Sequence, residues 1–358
     1  MATLDQIVAD RIYDIFISSD KKYICFFLVN EGLIARLLIE SYRIINYISK
    51  TYLLPASTFR IKCFAAPIQR NIDYYKNHCD INAWIPVHTT FTNGWEEYGH
   101  ELCLRNLHNF SSVPRIKSKL FLSFNGCYRH HRAFLIEGII RPGLLDRALM
   151  SMYFSIYTVE NLNKIQGAME YYLSGIESFL PKNGASIKKN LLDKANMFPL
   201  SLGLLNSNDV KPINIDDSAV DYFNNSYFSV VTETKCLHDI GLGDTQLDCI
   251  LFTEKIYKTI VAKHPFIMMA MPESLSALRQ AGYKTFHPYI DETYDTIEND
   301  ETRLVSILQE ISRLSTFTDS QWLEWQENIK PILEHNRQVL LRYQYTQLVY
   351  DPAADQKA

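Results

Sequence analysis

The triplet Thr253-Glu254-Lys255 holds the residue types and spacing that could do chemistry in this chain. Threonine is a favoured helix N-cap, and the apolar Ile256, Ile260 and Val261 that follow have helical spacing. Glu254 and Lys255 then fall in the first turn, where exposed N–H groups and the helix dipole favour anions. A lysine is poorly placed against that dipole unless an anion neutralises it. A phosphate would do so, and the adjacent carboxylate could hold ribose hydroxyls. Together they fit a nucleoside diphosphate. A solvated Glu-Lys pair at a helix start is the simpler reading of the same residues, and spacing alone does not separate the two.

The elements that must position the triplet can be read on either side of it. Residues 227–231 are β-branched and aromatic, which suits a buried strand. They end in polar Thr232-Glu233-Thr234, so Glu233 is expected to line the same crevice as the triplet. Residues 265–269 read as a second strand. Pro272-Glu273-Ser274 opens another helix, which stops near Gly282. Strand, loop, helix, strand, loop, helix is the repeat of a parallel sheet whose ligands sit at strand ends.

Upstream, Val113-Pro114-Arg115 is a credible boundary. A strand over 119–124 follows, then the loop Asn125 to Arg132 and a helix over 133–140. Arg129 and Arg132 make this loop basic, and a basic loop in solvent is its simplest reading. The adjacent His130 and His131 point in different directions and make a poor metal pair, one packed and one exposed. Before the boundary, strands are expected over 14–19, 22–29, 60–64 and 82–87, with helices over 33–52 and 69–79. Residues 89–100 read as an aromatic loop. After it come a strand over 149–157 and helices over 161–180 and 186–195, in a stretch (158–212) without a chemical motif. Asp216-Asp217 reads more simply as a helix cap than as a metal site. Helices are expected over 303–314, after a Thr318 cap, and over 329–345, ahead of a frayed tail at 351–358.

With 358 residues the chain can form two ordinary domains or one large one. A hydrophobic content of 47% against 21% charged residues is globular rather than disordered. The net charge of −4 gives no general affinity for nucleic acid or a membrane surface. Seven scattered cysteines with no Cys-x-x-Cys pair suggest neither a disulfide framework nor a zinc site, and point to a reducing, cytoplasmic compartment. No signal peptide and no membrane span are expected.

The run Phe252-Thr253-Glu254-Lys255-Ile256, followed by His264-Pro265-Phe266-Ile267, resembles the donor-site segment of fucosyltransferase-like and exostosin-like glycosyltransferases. Residues 278–286 and 290–295 resemble the variant found in large viruses, phages and some bacteria. The strong resemblance covers residues 228–314, and a weaker one begins near Lys119. It implies an α/β fold of the GT-B type: two Rossmann-like domains facing a cleft, with C-terminal helices crossing back to the first. Residues 1–115 would form the acceptor-side domain, 116–316 the nucleotide-sugar domain, and 317–358 the crossing helices and tail. The implied location is the cytoplasm, that of the host if the protein is viral. Eukaryotic Golgi relatives carry a membrane anchor that is not expected here.

The activity that this resemblance implies is transfer of a sugar from a GDP- or UDP-linked donor to an acceptor hydroxyl, with inversion. The acceptor would be a glycan, a protein or a hydroxylated base of phage DNA. No Asp-x-Asp element occurs, so a metal-independent enzyme is expected, with basic groups and a helix dipole stabilising the leaving group. Carried over residue by residue, Thr253, Lys255, Asn125, Arg129 and Arg132 would face the diphosphate and Glu254 the ribose, with Glu233 beside them. Glu31, between an apolar strand and a helix, is the expected catalytic base. Glu96 and Glu97 are rivals, and surface acids in turns are the simpler reading of all three. Asp291, Glu292 and Asp295 are expected to cap or pack. The alternative for the whole chain is a non-catalytic structural or interaction module that retains the fold.

Overall fold

The computed structural model describes residues 11–14, 17, 24–28, 34–63, 88–91, 94–106, 110, 113–154, 162–200, 202, 217–238, 250–342 and 348–350. Among them the protein is mixed α/β, with two four-stranded sheets. The chain divides into two compact units. One comprises Met1–Glu97, Gly243–Leu251 and Gln344–Ala358, and the other Tyr98–Leu242 and Phe252–Tyr343.

The first unit contains β1 (Ile24–Leu28), α1 (Ile34–Tyr52), β2 (Phe59–Cys63) and β3 (His88–Phe91). Its sheet runs β1-β2-β3-β8, with β8 at Leu348–Tyr350. The first three strands are parallel, and β8 is antiparallel to β3. α1 turns Tyr42, Ile45 and Ile48 inward and Arg43 and Lys50 outward, the stripe expected of an amphipathic helix. Residues 11–14 and 17 are helical, which corrects the strand expected over 14–19. Ile12, Tyr13, Phe16 and Ile17 also have helical spacing, and a short apolar run does not distinguish the two. Tyr13 stacks on Tyr52 with ring centroids 3.6 Å apart. The expected loop over 89–100 is instead the end of β3 and the helix α2 (Gly94–Arg105). The helix expected over 69–79 and the strand over 82–87 lie outside the described residues.

The second unit opens with β4 (Lys119–Ser123), α3 (His130–Ile140) and β5 (Ala148–Met150). Helices α4 (Leu162–Leu173), α5 (Ile176–Phe179), α6 (Gly184–Leu192) and α7 (Asp217–Asn225) lead to β6 (Ser226–Thr232). Then come α8 (Glu254–Val261), β7 (Phe266–Met269), α9 (Ser274–Gln280), α10 (Asp300–Ser315) and α11 (Asp319–Leu341). The sheet order is β5-β4-β6-β7, parallel throughout. Every residue of β6 is buried, as in a parallel strand covered on both faces. Tyr227 stacks on Trp322 of α11 at 4.0 Å, and α10 buries Leu304, Ile307, Ile311 and Leu314.

Three expected elements differ. β5 ends at Met150, after which Met152 pairs with Leu200 in an isolated bridge. Ser174-Gly175 divides the helix expected over 161–180. The two last helices are one, because Pro331 sits on the exposed side, where water can bond the carbonyl that proline leaves unpaired. Thr318 caps that helix with Gln321 in a reciprocal capping box. Among the described residues no helix is long and apolar enough to cross a membrane.

The second sheet fixes where a ligand would sit. The chain passes from β4 to β5 on one side, then crosses to β6 on the other. Strand order reverses between β4 and β6. Open α/β sheets bind ligands in the crevice at the carboxyl ends of the strands where that happens.

Candidate functional site

Polar residues tie the carboxyl ends of β4 and β6 together. Asn125 is fully buried. Its Oδ1 accepts from Thr232 Oγ1 at 2.6 Å, and its Nδ2 donates to Ser123 Oγ at 3.1 Å. Arg132, in the first turn of α3, is 2% exposed. Its Nη1 donates to Cys127 O at 2.8 Å and its Nη2 to Thr232 O at 3.1 Å, while Nε has no hydrogen-bond partner among the described residues. Burial lowers its pKa, with Arg129 pushing the same way and Cys127 opposing. His131 Nε2 donates to Glu233 O at 3.0 Å. Burial and then Arg132 and Arg129 hold this imidazole well below its ordinary pKa, so it is neutral. Arg129 is exposed and lends one bond, Nη1 to Tyr128 O at 3.1 Å.

The start of α8 stands beside these strand ends. Thr253 is the N-cap residue, but its hydroxyl does not cap the helix. Instead Thr253 Oγ1 donates to Glu233 Oε2 at 2.5 Å and accepts from Lys255 Nζ at 2.7 Å, while Thr253 N donates to Glu233 Oε1 at 3.2 Å. Lys255 Nζ is also 3.2 Å from Glu254 Oε1 and 3.9 Å from Glu233 Oε2. Glu233 is fully buried, and burial raises its pKa against the pull of Lys255 and Thr253. Burial would raise Glu254 too, but Lys255 and Lys258 outweigh it and hold the carboxyl below its ordinary range. The lysine is thus folded inward onto two carboxylates and a hydroxyl, over a helix end whose N–H groups the N-cap side chain leaves open.

The loop leaving β6 is anchored from the first turn of α10. Asp300 accepts from His238 N and His238 Nδ1, each at 2.8 Å. Arg303 Nη2 donates to Cys236 O at 2.6 Å and to Asp300 Oδ1 at 2.5 Å. Burial would raise the pKa of Asp300, and His238 and Arg303 outweigh it, so the carboxyl is ionised. Glu233 and Thr234 therefore leave the sheet on a fixed path.

The fold brings Asn125, Arg132, Glu233, Thr253, Glu254 and Lys255 to this one sheet edge. The Asn125 amide and the two Nη groups of Arg132 bond to the protein itself. Glu31 and Asp216 lie outside the described residues. Glu96 and Glu97 lie within α2 rather than in a loop. Neither histidine is exposed: His130 is half-buried, stacked on Phe179 at 4.4 Å, and His131 is in the core. Asp295 caps α9 through Leu275 N at 2.8 Å and Ser276 N at 3.0 Å. Glu292 takes Phe286 N at 2.5 Å, and Asp291 takes Thr293 N at 3.0 Å. These acids cap and pack as expected. Thr232, His131, Asp300 and Lys258 were not foreseen. Only Lys258 carried a usable signal, its position one helical turn after Glu254. Comparison of the chain with known protein families, with curated proteins and with solved structures returns no match.

Proposed function

We propose that the chain is a nucleotide-sugar-dependent glycosyltransferase of the GT-B type, with its donor diphosphate at the start of α8. The observation that carries this reading is the placement of Lys255. It sits at an open helix N-terminus, beside the strand ends where the sheet order reverses, held by Thr253, Glu233 and Glu254. An incoming diphosphate replaces those carboxylates as its partner. Helix N–H groups and the exposed Arg129 add to the field that stabilises the leaving group. Glu254, freed from Lys255, accepts the ribose hydroxyls. Asn125 and Arg132 act as positioning residues, since they hold the strand ends rather than a ligand. The first unit, with its own parallel strands, is proposed to carry the acceptor side and Glu31 as base for an inverting, metal-independent transfer. The acceptor hydroxyl is that of a glycan, a protein or a hydroxylated DNA base.

A second reading has an observation of its own. Glu233, Thr253, Asn125 and Thr232 are buried and satisfy one another, as a purely structural network would. Release of nucleoside diphosphate from GDP- and UDP-sugars, measured with glycan, peptide and hydroxylated-DNA acceptors, tests the two. Release that requires both an acceptor and Lys255 supports the transferase. No release and no nucleotide binding leaves the non-catalytic module.

A further inference from the structure

Lys258 lies one turn after Glu254 on α8 and is 6% exposed. Among the described residues no carboxylate oxygen is within ion-pair distance of its ammonium, and no hydrogen bond holds it. Burying a cation in this way is costly, and such groups are kept where something supplies the counter-charge. Burial pushes Lys258 down to about 8, with Glu254 opposing and Lys255 reinforcing the shift. Both residues that act on it are therefore the pair already at the start of α8. Helical side chains lean toward the N-terminus of their helix, so the stem of Lys258 runs back over the turn that carries Glu254. Lys255 is paired with Glu254, and Lys258 stands one helical turn behind that pair, at a helix end that the N-cap side chain leaves uncapped.

We infer that Lys258 is a second cationic contact for the ligand that Lys255 receives, and that this ligand carries two adjacent anionic groups, as a nucleoside diphosphate does and a monophosphate does not. The inference rests on the donor-site reading above. Glu254 is paired with Lys255, and each lysine takes its own phosphate when the ligand binds. A buried cation so placed works for binding and against stability, which a packing residue would not do.

Calorimetric titration of the full chain with GDP, UDP, GMP and UMP tests this, using wild type, Lys255→Ala, Lys258→Met and Lys258→Arg, each also melted without ligand. Lys258→Met should bind its diphosphate about tenfold more weakly, the loss of one charge-assisted phosphate contact. It should bind the monophosphate nearly as well as wild type does, and melt no lower. Lys258→Arg keeps the cation and should stay within about threefold of wild type, which also covers a failure of the Met variant to fold. Normal diphosphate affinity in Lys258→Met, with Lys255→Ala impaired, overturns this inference alone. Equal losses for mono- and diphosphate overturn the two-phosphate assignment. A wild-type chain that binds no nucleotide overturns the donor-site reading and this inference with it.

Discussion

Glu233 shows what a single residue can reveal about this site. Its carboxyl is buried and carries a pKa raised above the ordinary 4.5, with Lys255 and Thr253 drawing it partly back. The folded state therefore holds this proton to higher pH than the unfolded chain does. The stabilisation is complete below 4.5 and is lost as pH rises through the raised value. Glu233→Gln keeps the shape and cannot titrate. Denaturant unfolding followed from pH 4.5 to neutrality should show wild type losing stability relative to Glu233→Gln; parallel curves would mean that the carboxyl is not perturbed. The triplet at 253–255 and Glu233 were legible in the sequence because helix starts and strand ends have local signatures. The bonds from Thr232 to Asn125, Arg132 to Thr232 and His131 to Glu233 were not. Each joins residues 100 or more apart in the chain, and such pairs leave no pattern in a window of sequence.

At the scale of elements, α3 places Arg132 and α8 places Lys255, so the packing of both helices reaches the site. α3 meets α10 at Gly138, where an added Cβ would lie 2.3 Å from Leu308 Cδ1. Gly138→Ala must turn the Leu308 side chain aside or push the two helices apart, at a cost of up to about 3 kcal/mol for overpacking. Leu308→Ala in the same chain should relieve the clash, so the double variant should lose less stability than the two single losses added together. Strict additivity would show that the contact is loose. The same logic explains why α2 was missed. Gly99 reads as a loop residue, yet it lies within the helix, and the helix takes a glycine there because a Cβ would come 2.7 Å from Tyr257 Cβ. Helices with an apolar stripe, such as α1 and α10, were legible. A helix whose glycine answers to a neighbour was not.

At the scale of the whole molecule, alternation of strand and helix was enough to expect a parallel α/β sheet; β5-β4-β6-β7 is one, and the other sheet is parallel except for β8. Strand β8 was out of reach, since it comes from the far end of the chain and its pattern is only three residues long. Truncation after Arg342 removes it and leaves β3 as an open edge. The shortened chain should lose monomer to aggregates on size-exclusion chromatography, whereas an unchanged monomer peak would show that β8 protects nothing. The central claim is that Lys255, at the start of α8, receives a nucleoside diphosphate. The most direct test is the melting temperature of wild type and Lys255→Ala with saturating GDP or UDP. A ligand at one hundred times its Kd stabilises by about 2.7 kcal/mol. The account expects one of the two nucleotides to raise the melting temperature of wild type and to leave Lys255→Ala almost unmoved. Equal shifts in both proteins, or none in either, would contradict it.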